Sequence, residues 1–173
     1  MENFPSDAED FVDLMIAKRV SAGLPSSHIG VPALGRVIRI SNHLQEIGQK
    51  RYAKFGLTIL THDILLNLLI QGEPYQLSPK ALAEATFMSS GGMSNALERL
   101  EKDGLIERRQ APNDRRGVLV CLTDKGQDLI SKVQPHIVAA QKEVVQILDE
   151  DEMQALNETL RKLLLSLEQQ VMR

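Results

Sequence analysis

A mainly α-helical fold carrying one small β-hairpin is what this sequence predicts. Apolar residues recur at three- and four-residue steps through most of the chain, aromatic residues make up only 3% with tryptophan absent, and two short β-prone runs flank one turn-rich segment. With 173 residues, 43% of them hydrophobic and 25% charged, the composition is that of a globular protein and excludes extensive disorder, a collagen-like repeat and a disulfide-rich scaffold. One cooperative unit is expected.

Ser6-Asp7-Ala8-Glu9 fits a capping box, so a first helix is expected from there to about Val20. Ala22 to Gly30 is rich in turn residues, and residues 1–30 are read as a helical extension and linker. Pro32 suits the first turn of a long helix in which Val37, Ile40, Leu44 and Ile47 form a stripe, ending before Gly56. Thr58 is the expected N-cap of a helix through Gln71, with Leu60, Ile64, Leu65, Leu68 and Leu69 inward and Gly72 as its stop.

Ser78-Pro79 opens a short helix with Ala81, Leu82 and Ala85, ending near Thr86. After a turn through Phe87-Met88, Ser89 or Ser90 caps a helix that buries Met93, Leu97 and Leu100 and closes at Gly104. Leu105 to Arg109 and Val118 to Leu122 read as strands joined by a loop from Gln110 to Gly117, rich in Pro, Asn, Asp and Gly. Thr123 caps a long helix carrying Leu129, Ile130, Val133 and Ile137, with a kink expected at Pro135 and an end near Leu148. Asp149 to Glu152 forms another capping box, and the stripe Leu156, Leu160, Leu163, Leu164, Leu167, Val171 marks the last helix.

The lone cysteine, Cys121, excludes internal disulfides and a CxxC zinc ribbon and points to a reducing compartment. No leader pattern stands at the N-terminus, and no run approaches the roughly 18 apolar residues of a membrane span, so a cytoplasmic protein without membrane contact is expected. The sequence carries no GxSxG elbow, phosphate-binding P-loop, GxGxxG after a strand or HExxH helix, which sets an enzymatic role aside. His28, His43, His62 and His136 lack the close spacing of a metal site, and no cofactor is expected. Cys121 reads as a buried structural cysteine.

A short helix, a turn, a second helix and a hairpin follow the order of a winged helix-turn-helix, whose second helix can enter the major groove of double-stranded DNA. The net charge of −3 and isoelectric point near 5.8 give no global attraction to nucleic acid, so that reading needs a local basic patch. Ser89, Ser90, Gly91, Gly92 and Ser94 let the helix approach base edges closely and leave its amides open to phosphate oxygens. Asn95 can read an adenine edge, and Arg99 a guanine or a phosphate. Arg108, Arg109, Arg115 and Arg116 surround the loop, with Asn113 among them and Asp114 as its only acid. Arg115 is assigned to a narrow minor groove, and Asp114 to a wing-shaping pair with Arg116 or Arg109. Two other readings stand beside this one. The polar side chains can simply solvate a surface helix, or the winged helix can be a protein-protein interaction module without specific DNA binding, for which the wing arginines are superfluous.

The run Leu100-Glu101-Lys102-Asp103-Gly104-Leu105-Ile106-Glu107-Arg108-Arg109, then Asn113-Asp114-Arg115-Arg116, then Leu122-Thr123-Asp124-Lys125-Gly126 resembles the signature of the MarR family of bacterial transcription regulators. The match in helix order spans about residue 32 to the C-terminus. The resemblance implies a homodimer, with residues 31–57 and 123–173 as long dimerisation helices and residues 58–122 as the winged helix-turn-helix. It also implies a ligand-responsive repressor on a pseudopalindromic operator. The N-terminal helix, Gly35-Arg36 with Arg39, and Ser89 to Asn95 are similar to the urate-responsive, PecS-like subgroup. Asp63 matches the acidic position of that subgroup, whereas Arg19 falls near its usual tryptophan and Ala96 replaces its usual arginine. A small anionic or phenolic effector is therefore expected, in a pocket lined by Arg39, His43 and Asp63.

Overall fold

The computed structural model describes residues 8–25, 29–112 and 114–171, without the side chains of residues 114–116. It divides into two compact units, residues 2–133 and residues 134–173, where composition led to the expectation of one.

In the first unit, helix α1 (Phe11–Ser21) begins later than expected. Ser6 and Asp7 lie outside the described residues, Ala8 and Glu9 are non-helical, and the cap is Asp10. The Asp10 carboxylate accepts from the amides of Val12 and Asp13 at 2.6 and 3.1 Å, and the Asp13 carboxylate accepts from the Asp10 amide at 3.1 Å. Helix α2 (Gly30–Ala53) has Pro32 in its first turn, and Gly56 adopts the left-handed φ of 72° beyond its end. Val37, Ile40, Leu44 and Ile47 remain exposed along it.

Thr58 caps α3 (Ile59–Leu69) in a capping box with Thr61, and the helix stops two residues short of Gln71. Ile64, Leu65 and Leu68 are fully buried, each contributing about 1.5–3 kcal/mol relative to exposure. Leu60 and Leu69, expected inward, are half-buried. Thr61 and His62 take inward positions instead, since the Thr61 hydroxyl is satisfied by the Thr58 cap and the His62 ring packs 4.4 Å from Tyr52.

Ser78 and Pro79 open α4 (Pro79–Ala85), which buries Leu82 and leaves Ala85 exposed. Ser89 caps α5 (Ser90–Lys102), whose inner face is Met93, Ala96, Leu97 and Leu100. At its end the Leu105 amide bonds the Leu100 carbonyl at 2.9 Å while Gly104 turns at φ 71°, a Schellman-type stop.

The sheet is larger than the expected hairpin. A two-residue strand β1 (Gln76–Leu77) joins β2 (Ile106–Ala111) and β3 (Asp114–Leu122) in the order β1-β3-β2, all antiparallel. The ladder continues through Arg109↔Leu119 and Gln110↔Val118 to an irregular Ala111↔Asp114 pair, so the strands extend into the expected loop from Gln110 to Gly117, β2 to Ala111 and β3 from Asp114. Pairing the backbone groups of these polar residues outweighs their low strand propensity.

Thr123 caps α6 (Asp124–Val145) by accepting from the Gly126 amide at 3.1 Å, and the helix continues past Pro135. Ile130, Val133 and Ile137 are buried, and Leu129 is half-buried. In the second unit, α6 ends at Val145, and α7 (Glu150–Val171) starts from the expected box, Asp149 amide to Glu152 at 3.0 Å and Glu152 amide to Asp149 at 2.8 Å. None of the described residues of α7 is buried. Leu156, Leu160, Leu164 and Leu167 are 40 to 55% exposed, more than a core within one chain would leave.

Candidate nucleic-acid interface

Helices α4 and α5 are joined by a tight turn in which the Met88 amide bonds the Ala83 carbonyl at 3.0 Å. The buried face of α5 turns its other side outward, leaving Ser89, Ser90, Gly91, Ser94, Asn95 and Arg99 exposed and Gly92 half-exposed. Ser89 is committed to its cap, its hydroxyl accepting from the Gly92 amide at 3.3 Å. Around a Cβ built on Gly91 lies open space, whereas one on Gly92 would meet Met88 Cε at 2.9 Å. A narrow, mostly uncharged helix start of this kind admits a close approach to a groove.

Arg99 has a structural tie that the sequence did not reveal. Its guanidinium donates to the Gly56 carbonyl at 3.1 Å, linking the outer side of α5 to the turn before α3. Arg108 lies 3.6 Å from Glu101. Arg109 pairs with Glu107 on its own strand. Two of the four wing arginines therefore stand next to acids outside the loop, and the positive patch is weaker than the loop sequence alone indicates. Asn113 and the side chains of Asp114, Arg115 and Arg116 lie outside the described residues.

The family-like signature has a local cause in the joint between α5 and α6. The Thr123 amide and hydroxyl donate to the carbonyls of Leu105 and Gly104 at 3.2 and 2.8 Å, and Lys125 Nζ donates to the Asp103 carbonyl at 2.6 Å. Gly126 passes so close to Leu105 that a Cβ there would lie 2.1 Å from the Leu105 oxygen. Together these contacts satisfy carbonyls at the end of the candidate recognition helix and fix it against the start of α6.

The expected effector residues each have a different neighbour. Arg39 sits 4.1 Å over the Phe11 ring of α1, Asp63 lies 3.0 Å from the buried His62 Nδ1, and His43 is exposed on α2. Within the second unit an open cavity of about 570 Å³ is lined by Lys142, Asp149, Met153, Asn157 and Arg161 among others, and none of the three residues borders it. Among the described residues no cluster of His, Cys, Asp or Glu could hold a metal ion. Cys121 is 2% exposed, its Sγ 3.6 Å from Gln76 Oε1, and burial pushes its thiol above the ordinary cysteine range. No helix among the described residues is long and apolar enough to cross a membrane.

Two residues near this face were not singled out as candidates from sequence. Lys80 is exposed in the first turn of α4, where a helix-turn-helix meets the DNA backbone. Phe87 is 90% exposed in the turn before α5. The signal for the first was a basic residue directly after a Ser-Pro helix start, and for the second an aromatic residue outside any periodic stripe.

A model of the MarR family matches residues 55–117, from the turn after α2 into β3. The chain is 30% identical to the HTH-type transcriptional regulator PecS of Dickeya dadantii, over 69% of this chain and 72% of that protein. Among solved structures it is similar to AbsC, a MarR family transcriptional regulator from Streptomyces coelicolor, with 28% identity and a TM-score of 0.72 over 79% of this chain and 92% of that one. It is also similar to a cysteine-to-serine mutant of MarR from E. coli complexed with operator DNA, with 26% identity and a TM-score of 0.68 over 76% of this chain and 94% of that one. With this fold, this joint and these relatives, the chain belongs to the MarR family.

Proposed function

We propose that the protein is a sequence-specific DNA-binding transcriptional regulator, a homodimeric repressor that holds a pseudopalindromic operator and releases it when a small anionic or phenolic effector binds. The observation that carries this reading is the outward face of α5, small and polar from Ser89 to Asn95, set beside the β2–β3 wing in a fold shared with a relative crystallised on operator DNA. In this reading the start of α5 enters the major groove, Asn95 reads a base edge and Arg115 reaches the minor groove. Arg108, Arg109, Arg116, Asn113 and Lys80 line the phosphate backbone, and Arg99 positions α5 through Gly56.

The exposed stripes of α2 and α7 support pairing with a second copy, which would set two recognition helices roughly one helical turn apart. An effector that distinguishes the DNA-competent dimer from another conformation by about 1.4 kcal/mol changes occupancy tenfold. Substitution Arg115→Ala tests the wing. The expected result is weaker binding with a salt slope lower by about one phosphate contact, or by less if Arg115 reads groove shape. Unaltered affinity and slope would remove Arg115 from this role, and loss of all sequence preference in the parent protein would favour a protein partner.

A further inference from the structure

The turn between α4 and α5 holds an aromatic residue in a conformation that suits it poorly. Phe87 has φ 53°, in the left-handed region that bulky side chains rarely adopt and that glycine or asparagine occupies readily. The conformation is fixed by hydrogen bonds on both sides, the Thr86 amide to the Leu82 carbonyl at 3.0 Å and the Met88 amide to the Ala83 carbonyl at 3.0 Å. Packing against the described residues offers little compensation for that strain, because Phe87 is 90% exposed. Its neighbour Met88 behaves differently, folding back so that its Cε lies 2.9 Å from where a Gly92 Cβ would stand. Phe87 is thus the aromatic projection at the entrance to an otherwise small and polar surface, two residues before the Ser89 cap.

We propose that Phe87 is a specificity residue of the DNA interface, its ring packing against the C5-methyl group of a thymine in the major groove at the edge of each half-site. The inference rests on the DNA-binding reading above and is continuous with that surface. The major groove offers one apolar group on its base edges, the thymine methyl, and an aromatic side chain is among the groups that contact it. A side chain so exposed in the free protein gains burial on binding, and a neutral contact of this kind displaces no phosphate counterions. The prediction therefore separates Phe87 from the wing arginines: it governs which sequence is bound, and they govern the salt dependence.

The test uses the tightest duplex that the full-length protein selects from a random-sequence pool, made with thymine or with deoxyuridine, which lacks the methyl group. Phe87→Asn fits the left-handed turn, so its melting temperature should equal or exceed that of the parent. The expected result is about a tenfold weaker affinity of Phe87→Asn for the thymine duplex with an unchanged salt slope, a similar weakening of the parent on the deoxyuridine duplex, and no further loss when both changes are combined. Equal affinities of parent and variant for the thymine duplex would overturn the proposal while leaving the DNA-binding reading intact. A loss in the variant that deoxyuridine does not reproduce in the parent would also overturn it, placing the ring against the sugar-phosphate backbone. Failure of the parent to select any sequence would instead defeat the DNA-binding reading itself and this inference with it.

Discussion

Gly126 and the carbonyl oxygen of Leu105 are in such close contact that a Cβ on the glycine would lie 2.1 Å from that oxygen and 2.8 Å from Leu122 Cδ1. The obstacle is backbone between α5 and β2, so it cannot yield by a rotamer change. Gly126→Ala is expected to destabilise the fold by roughly 3 kcal/mol, at the severe end of overpacking, although alanine is the better helix former. Thermal or urea unfolding measures this directly, and a variant as stable as the parent would show that the joint opens freely.

The hold of α1 on α2 depends on charge. Arg36 Nε donates to Asp10 at 2.7 Å and its Nη2 to Asp13 at 2.6 Å, and Gly35 leaves room for Val12 beside them. The hydrogen bond from Arg36 holds the Asp10 carboxyl below the ordinary carboxylate range. A depressed carboxylate stabilises the docked helix at pH above its unfolded value of about 3.9 and loses that contribution as pH falls through the lower folded value. Amide hydrogen exchange in α1 should therefore be pH-independent near neutrality, after correction for intrinsic rates, and speed up only in strong acid. Arg36→Ala should raise exchange in α1 at neutral pH while leaving α3 and α5 protected.

Arg99 is expected to act as a strut. Its bond to the Gly56 carbonyl is solvent-exposed, so Arg99→Ala should lower stability by no more than about 1 kcal/mol. DNA affinity should fall to a similar degree on every sequence tested. A relaxed preference at one base pair, measured by binding to a set of single-substitution duplexes, would instead assign Arg99 to base reading.

The leucine stripe of α7 distinguishes a dimer surface from a single-chain core. With Leu160 and Leu164 40% and 55% exposed, Leu164→Glu should leave the helical content of the chain unchanged while shifting sedimentation equilibrium from dimer to monomer. Loss of helical content with no concentration dependence would place the stripe in the core of one chain.

Much of this architecture is legible in the sequence because cap chemistry is local. Thr58, Ser78, Ser89 and Asp149 each accept from the amide three residues ahead, and each helix starts where that pattern places it. The start of α1 is different, since Ser6 and Asp10 head competing boxes and Asp10 is joined by Arg36, 26 residues away. Strand β1 has two residues and exists only through its pairing of Gln76 with Cys121 and Leu77 with Val120, so no periodicity announces it. The polar wing hides a ladder for the same reason.

At the candidate site, the outward face of α5 follows from the spacing of Met93, Leu97 and Leu100, whereas the partners of Arg99, Arg108 and Arg109 follow only from tertiary placement. The motif that marks the family was visible as a string of residues. Its reason, the passage of Gly126 across Leu105, required three dimensions.

The most direct test of the central claim is a titration of the purified protein against DNA flanking its own gene at several salt concentrations, with scrambled duplex as competitor. The account predicts one dimer per site, saturable binding that the scrambled duplex does not displace, and a logarithmic affinity falling linearly with the logarithm of salt as phosphate contacts release counterions. Binding that is weak, equally competed by scrambled duplex and without defined stoichiometry, on this DNA and on sequences drawn from a random pool, would contradict it.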